Sequence, residues 1–357
     1  MRKIYSIVAM ATCVFAAVSC SNEDETVSKA PQNQKIGFGV IADGSVVARG
    51  NATTSANMAE KITSFQTWAY DAVANSLYIG DSNTAGREVS KVGENWTYTP
   101  QQYWPTNALS FVALTPTAKA TSTTTTCSEG VVALAADITV PTNVEDTQDY
   151  MFAEGNKITK DTDNGKVPFT FKHGVSQIVF KGKLGSSGAV TKATVKEITL
   201  VNIKSHGVVN FSSDGNFAEI TSLETPVDYT LSDTQLTTSV IEGDAAAEIT
   251  QSNGDKNNAW FLLPQVLDGS GTLVKAGGAA PADGKTYIKI CAKLEKDGVV
   301  VLNDTDAIYI PVGTTWERSK KYIYTLEFNG TGALDPISFT VAAEDWTDVN
   351  VDPSLGV

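Results

Sequence analysis

Histidine is almost missing from this 357-residue chain, which has two, and cysteine is scarce, with four. Neither His173 nor His206 stands in a metal-ligand spacing such as H-x-x-x-H, and neither sits beside a carboxylate motif. Both read as structural or exposed side chains. There is no G-x-S-x-G elbow, and no glycine-rich loop followed by Lys and Ser or Thr. No pair of carboxylates is singled out for glycoside hydrolysis. The stretch Asp161–Gly165, "DTDNG", opens like a calcium loop, but its glycine comes one place early. Lys172 also holds the place of the bidentate glutamate. It reads as a turn. The sequence calls for no cofactor and no metal, and an enzyme is not expected.

Basic charge is also short. Lys and Arg number 27 against 40 Asp and Glu, a net charge of −13, and losing Arg2 and Lys3 with the first 19 residues makes it −15. Such a surface repels phosphate backbones, and no basic stripe with interleaved aromatics offsets it. Nucleic acid is excluded as an expected partner.

Long apolar runs are confined to the N-terminus. Arg2 and Lys3 precede an uncharged stretch, Ile4–Ser19, too short and interrupted for a span of about 20 residues. It fits the h-region of a signal peptide. Cys20 follows, after the small residues Ala17 and Ser19, and the site resembles a lipoprotein lipobox whose thiol would carry diacylglycerol. Ala17 departs from the leucine often found there, and an ordinary cut near Ser19 is the alternative. Cys13 would leave too short an h-region. The acidic Glu23, Asp24 and Glu25 suit a solvated tether. They also resemble the signal that sends lipoproteins of certain Gram-negative anaerobes to the outer face of the outer membrane. Cys127 and Cys291 read as free thiols, since spacing says nothing of their proximity.

What the sequence has in abundance is period-two alternation. "ITSFQTWAYD", "VPFTFKH", "SQIVFKGKL", "TYIKICAKL" and "KYIYTLEF" are rich in Val, Ile, Thr, Tyr and Phe. Turn pairs such as Asp43-Gly44, Asp268-Gly269 and Asp297-Gly298 fall between such runs. Sustained helical periodicity is nearly absent. The expected class is all-β, with sandwiches joined in Greek-key fashion. The polar stretch 156–166 is the best domain boundary, and the Thr-rich stretch 119–130 reads as an exposed loop. The expected layout is a signal peptide at 1–19, a polar tether at 20–35, one sandwich at 36–160, a second at 161–345, and a tail at 346–357.

Two short segments share a pattern. Ile36, Phe38 and Val40 alternate in "IGFGV", and Ile337, Phe339 and Val341 alternate in "ISFTV". Any half-buried strand tends to look like this. Six tryptophans complete the inventory. Trp96 and Trp104, in "NWTYTPQQYWP", are the best candidates for stacking on a sugar, with core packing the stronger reading even there.

Together these features resemble the fimbrillin (type V pilin) family, lipoproteins that polymerise into surface fimbriae in Gram-negative gut and oral anaerobes. The resemblance rests on Cys20, "ITSFQTWAYD", "YWP" at 103–105, "FTFKHGVSQIVFK" at 169–181, "FLLPQ" at 261–265, "KYIYTLEFNGTG" at 321–332 and "VAAEDW" ending at Trp346. It implies two transthyretin-like sandwiches in tandem and an outer-membrane, cell-surface precursor anchored by lipid on Cys20. It also implies an arginine-specific surface protease that cuts between Arg49 and Gly50. Removal of the first strand, with Ile36, Phe38 and Val40, would then open a groove that a strand from another fimbrial subunit fills. Burying side chains of that kind is worth roughly 1.5–3 kcal/mol each. Two C-terminal segments are candidate donors: Ile337, Phe339 and Val341, which in the family ordinarily form a core strand, or the tail with Trp346, Val349 and Val351. A surface lipoprotein or tip adhesin that binds glycan or host protein without polymerising is the alternative.

Overall fold

Period-two sequences fold as strands because alternate side chains leave opposite faces of the pleat. The computed structural model describes residues 34–42, 62–117, 120–218, 220–250, 258–329 and 337–345. Among these residues the chain is all-β, with short 3-10 turns and no α-helix. The signal peptide, Cys20, Arg49, Gly50, Trp346, Val349 and Val351 lie outside the described residues.

The first sheet runs in the order Gly37–Ala42, Lys166–His173, Met151–Ile158, Leu109–Thr115, Ser64–Asp71, Arg87–Val92, Asn95–Thr97. Its middle strand, Leu109–Thr115, is buried throughout because both faces of the sheet are covered. Leu109, Phe111 and Ala113 face a smaller core with Ile36, Phe38, Phe65 and Phe169. Val112 and Leu114 face a larger core with Trp68, Tyr70 and Phe152.

A second sheet orders Ala247–Glu248, Ser176–Leu184, Lys320–Phe328 and Ile337–Asp345. The third is organised by one long strand, Lys192–Ser212. Residues 192–201 of that strand pair with Tyr287–Lys296, while 206–212 pair with Val131–Thr139. Register shifts let a single strand serve both partners.

The structure bears on two expectations. Strand pairing continues across the boundary expected at 160/161. The polar stretch 156–166 joins Met151–Ile158 to Lys166–His173, which are antiparallel neighbours in the first sheet. It is polar because it turns in solvent: Thr162–Gly165 forms a 3-10 turn with Asp163, Asn164 and Gly165 all at positive φ. Pairing also crosses the expected boundary through Val131–Thr139 on Lys192–Ser212. The Thr-rich stretch, in turn, is a strand, Ala120–Ser128, antiparallel to Val131–Thr139. Threonine is β-branched and suits a pleat, so Thr123 and Thr125 turn inward while Thr124 and Thr126 are exposed.

Candidate functional site

The first strand is the element that sequence and structure single out together. Ile36 and Phe38 are 1% and 5% exposed, and Val40 is half-buried against the same smaller core. Gly37 and Gly39 fall on the other side of the pleat. Phe38 sits in an aromatic box. Its ring stacks on Phe169 at 5.4 Å and meets Phe65, Tyr98 and Phe111 edge-on at 5.6, 5.5 and 6.4 Å. Such contacts add about 0.5–1.5 kcal/mol each beyond the area buried.

Backbone pairing holds the strand in two ways. From Gly37 to Ala42 it runs parallel to Lys166–His173, in register from Gly37 opposite Lys166 to Ala42 opposite Phe171. It ends the sheet, so that strand is its one full-length neighbour. Just before Gly37 the grip changes sides. Ile36 N donates to Gln102 O at 3.0 Å, and Trp104 N donates to Gln34 O at 2.9 Å. Tyr98 Oη and Gln101 Nε2 both donate to Ile36 O, at 3.2 and 3.0 Å. Burial pushes the Tyr98 phenol up to about 12, the hydrogen bond from Gln102 N working the other way. Sequence reading missed Tyr98 and Gln101. The signal was faint: two glutamines between aromatics in "YTPQQYW".

Taking away residues 34–42 would uncover the rings of Phe65, Tyr98, Phe111 and Phe169, and free one backbone edge of Lys166–Phe171.

The matching C-terminal segment lies in another sheet. Ile337–Asp345 pairs antiparallel with Lys320–Phe328 over nine residue pairs. Ile337 is 1% exposed, Phe339 packs 5.6 Å from the Tyr324 ring, and Val341 is 40% exposed. Ile337–Val341 is therefore an ordinary strand of its own sheet here, and also an end strand.

The tryptophans singled out for sugar stacking face inward. Trp104 is 8% exposed and donates from Nε1 to Gly165 O at 2.9 Å. Trp96 is half-buried, its ring 5.1 Å from Phe65. Both help to wall the first-strand core, the reading that the apolar strand pattern favoured. The histidines hold carboxylates. Buried His173 Nδ1 lies 2.8 and 2.9 Å from the Asp149 oxygens, and His206 bridges Asp137 and Glu224. Cys127 and Cys291 are free and half-buried, and burial pushes both thiols up. Apart from the first-strand seat, a hollow of about 660 Å³ is walled by Val209, Ile220, Leu223 and Trp316. At its edge Arg318 lies 4.0 Å over the Phe217 ring.

The chain matches the fimbrillin-like family model over residues 49–346. Among solved structures it is similar to a fimbrial protein from Bacteroides vulgatus, at 18% identity and a TM-score of 0.60, over 88% of this chain and 100% of that one. It also resembles a candidate cell-adhesion protein from Bacteroides uniformis, at 15% identity and a TM-score of 0.48, over 89% and 100% of the two chains. A third similar structure is the C-terminally truncated tip fimbrial protein Mfa3 from Porphyromonas gingivalis, at 10% identity and a TM-score of 0.39, over 80% and 94%. No curated protein matches the chain significantly. At these identities the first structure speaks to the fold, and the other two carry no further argument.

Proposed function

The chain belongs to the fimbrillin-like family, and from that premise we propose that it is a structural, non-catalytic subunit of a surface fimbria, assembled by strand exchange at the seat of its first strand. Family membership makes it a fimbrial or surface-adhesion protein that associates with other fimbrial subunits at the cell surface. The finer reading is export as a lipoprotein through Cys20, then cleavage between Arg49 and Gly50 by an arginine-specific surface protease. Residues up to Arg49 depart, and a strand from another subunit takes the place of Ile36, Phe38 and Val40.

One observation carries this reading. The first strand ends its sheet, yet two of its side chains are almost wholly buried in an aromatic core. An end strand can leave without breaking the sheet, and the apolar trough left behind, beside an unpaired backbone edge, favours replacement by β-addition. The matched family region, 49–346, also begins at the expected cut and leaves the first strand outside it.

The test is to purify the chain from Ser21 onward, treat it with an arginine-specific protease, and read the new N-terminus and the native size. A chain starting at Gly50 that forms a ladder of regular multimers, with Arg49→Ala remaining monomeric, is the expected result. A chain cut at Arg49 that stays monomeric at high concentration would refute exchange. A chain that resists cutting there would refute the processing step.

A further inference from the structure

Three groups converge where the first strand enters. Tyr98 Oη accepts from Gln101 Nε2 at 3.0 Å and from Gln102 N at 3.3 Å. A phenol has two acceptor sites and one proton. With both acceptor sites engaged, the proton is left for Ile36 O, 3.2 Å away. Gln101 Nε2 reaches the same carbonyl at 3.0 Å. One backbone oxygen of the first strand is thus read by two side-chain donors. The Tyr98 ring also lies against Phe38, centroids 5.5 Å apart. A single residue therefore measures the carbonyl of residue 36 and the side chain of residue 38.

We propose that Tyr98 and Gln101, with the Phe38 box, are the specificity determinants of this seat. They select a strand that runs parallel to Lys166–Phe171 and carries a β-branched residue two places before a phenylalanine, in one register only. The inference rests on the strand-exchange reading above. A shift by one residue turns every inward side chain outward. A shift by two puts phenylalanine where Ile36 sits and leaves the aromatic box to another residue. The one-residue shift also turns the carbonyl away from the Tyr98 and Gln101 donors, which is costly beside the buried Tyr98, whereas the two-residue shift presents an equivalent carbonyl and is opposed by the side-chain mismatch in the aromatic box alone.

The positions between are permissive. A Cβ added at Gly37 meets the Lys166 side chain at 3.3 Å, and one at Gly39 meets the Asp163 carboxylate at 3.7 Å. The contact at Gly39 is ordinary packing distance, and the one at Gly37, with Lys166 Cγ, asks that side chain to give by a few tenths of an ångström, so small residues are admitted there. Of the two C-terminal candidates, Ile337-Ser338-Phe339 meets the rule. The tail residues Trp346, Val349 and Val351 do not, since no aromatic follows a β-branched residue by two. The occupant assigned to the seat is the Ile337–Val341 strand of a second copy.

The experiment uses the full chain with a site for a sequence-specific protease inserted after Gly50, so that it does not depend on cleavage at Arg49. After cutting, fluorescent peptides are added and binding is read by anisotropy. The peptide KIGFGVIA should bind, and ISFTVAA should bind comparably. A version with Val in place of Phe should bind at least about tenfold more weakly, as should TDVNVDP from the tail. A version with the isoleucine carbonyl reduced to methylene should also lose about tenfold. That last loss should vanish in Tyr98→Phe/Gln101→Ala. The peptide variants carry the test even if the protein variant fails to fold. Equal binding of the Phe and Val peptides, or of the carbonyl and methylene peptides, overturns the proposal and leaves exchange standing. Stronger binding of the tail peptide than of ISFTVAA overturns the assigned occupant. Binding of no peptide, KIGFGVIA included, overturns strand exchange and this proposal together.

Discussion

The ring of Phe38 stacks on that of Phe169, centroids 5.4 Å apart and planes 18° from parallel. One belongs to the strand proposed to leave, the other to the strand it would leave behind. Their contact is the apolar part of what holds the first strand in place. Phe38→Ala should cost about 3–5 kcal/mol in denaturant unfolding, and Phe169→Ala a similar amount. Combined, they should cost less than the sum, because each alone already breaks the pair. A loss below about 1 kcal/mol for Phe38→Ala would show that the first strand does not share in the cooperative core.

Tyr98 supplies the polar part, and its titration reports on it. Burial raises its folded pKa to about 12, above the usual value of 10.0. The neutral phenol is the favoured form in the fold, so its contribution is fully present below pH 10 and is lost as pH rises through 12. The phenolate has no proton to give Ile36 O. Ultraviolet titration of Tyr98→Phe should lack one tyrosine that ionises near pH 12 rather than near 10. Loss of a tyrosine that titrates near 10 would refute the burial.

At the acid end, Asp268 is held down to about 2, first by the hydrogen bond from Lys285 and then by those from Ser270. A depressed folded pKa adds stability above the ordinary carboxylate value, and that stability is lost as pH falls towards 2. Carboxyl NMR should place its midpoint near 2. Lys285→Met should move the midpoint up towards 3.8; an unmoved midpoint would assign the depression to Ser270 alone.

Asp149 and His173 form a buried pair at the end of Lys166–His173. Asp149→Ala removes the carboxylate from the buried imidazole, and unfolding in urea should show a loss of about 3 kcal/mol. A change within about 0.5 kcal/mol would mean that water reaches the ring.

Gly86 lies against Trp68. A Cβ there would sit 2.9 Å from Trp68 Cζ2 and 3.0 Å from Gln66 Cβ. Trp68 is fully buried, so the indole has little room to give. Gly86→Ala should lower stability by about 1–3 kcal/mol, measured by thermal unfolding, and an unchanged midpoint would show that the strand edge relaxes.

Much of this fold is legible in the sequence. Alternation in "ITSFQTWAYD" and "VPFTFKH" identifies strands, Ile36 and Phe38 read as inward, and Asp161–Gly165 reads as a turn. The Thr-rich strand escapes such a reading because hydroxyl-bearing residues signal a loop by polarity and a strand by branching, and packing against Val131–Thr139 decides for the strand. The polar stretch 156–166 looks like a linker because a tight turn between paired strands and a link between domains are equally polar.

Which side chains of a strand face inward follows from the pleat, a property of neighbouring residues, and the sequence by itself determined it. Which strands become neighbours depends on edges brought together from distant parts of the chain. Tertiary structure alone therefore decided that Gly37–Ala42 runs beside Lys166–Phe171. It also brought Tyr98 and Gln101 onto the carbonyl of Ile36, a contact that no local pattern encodes.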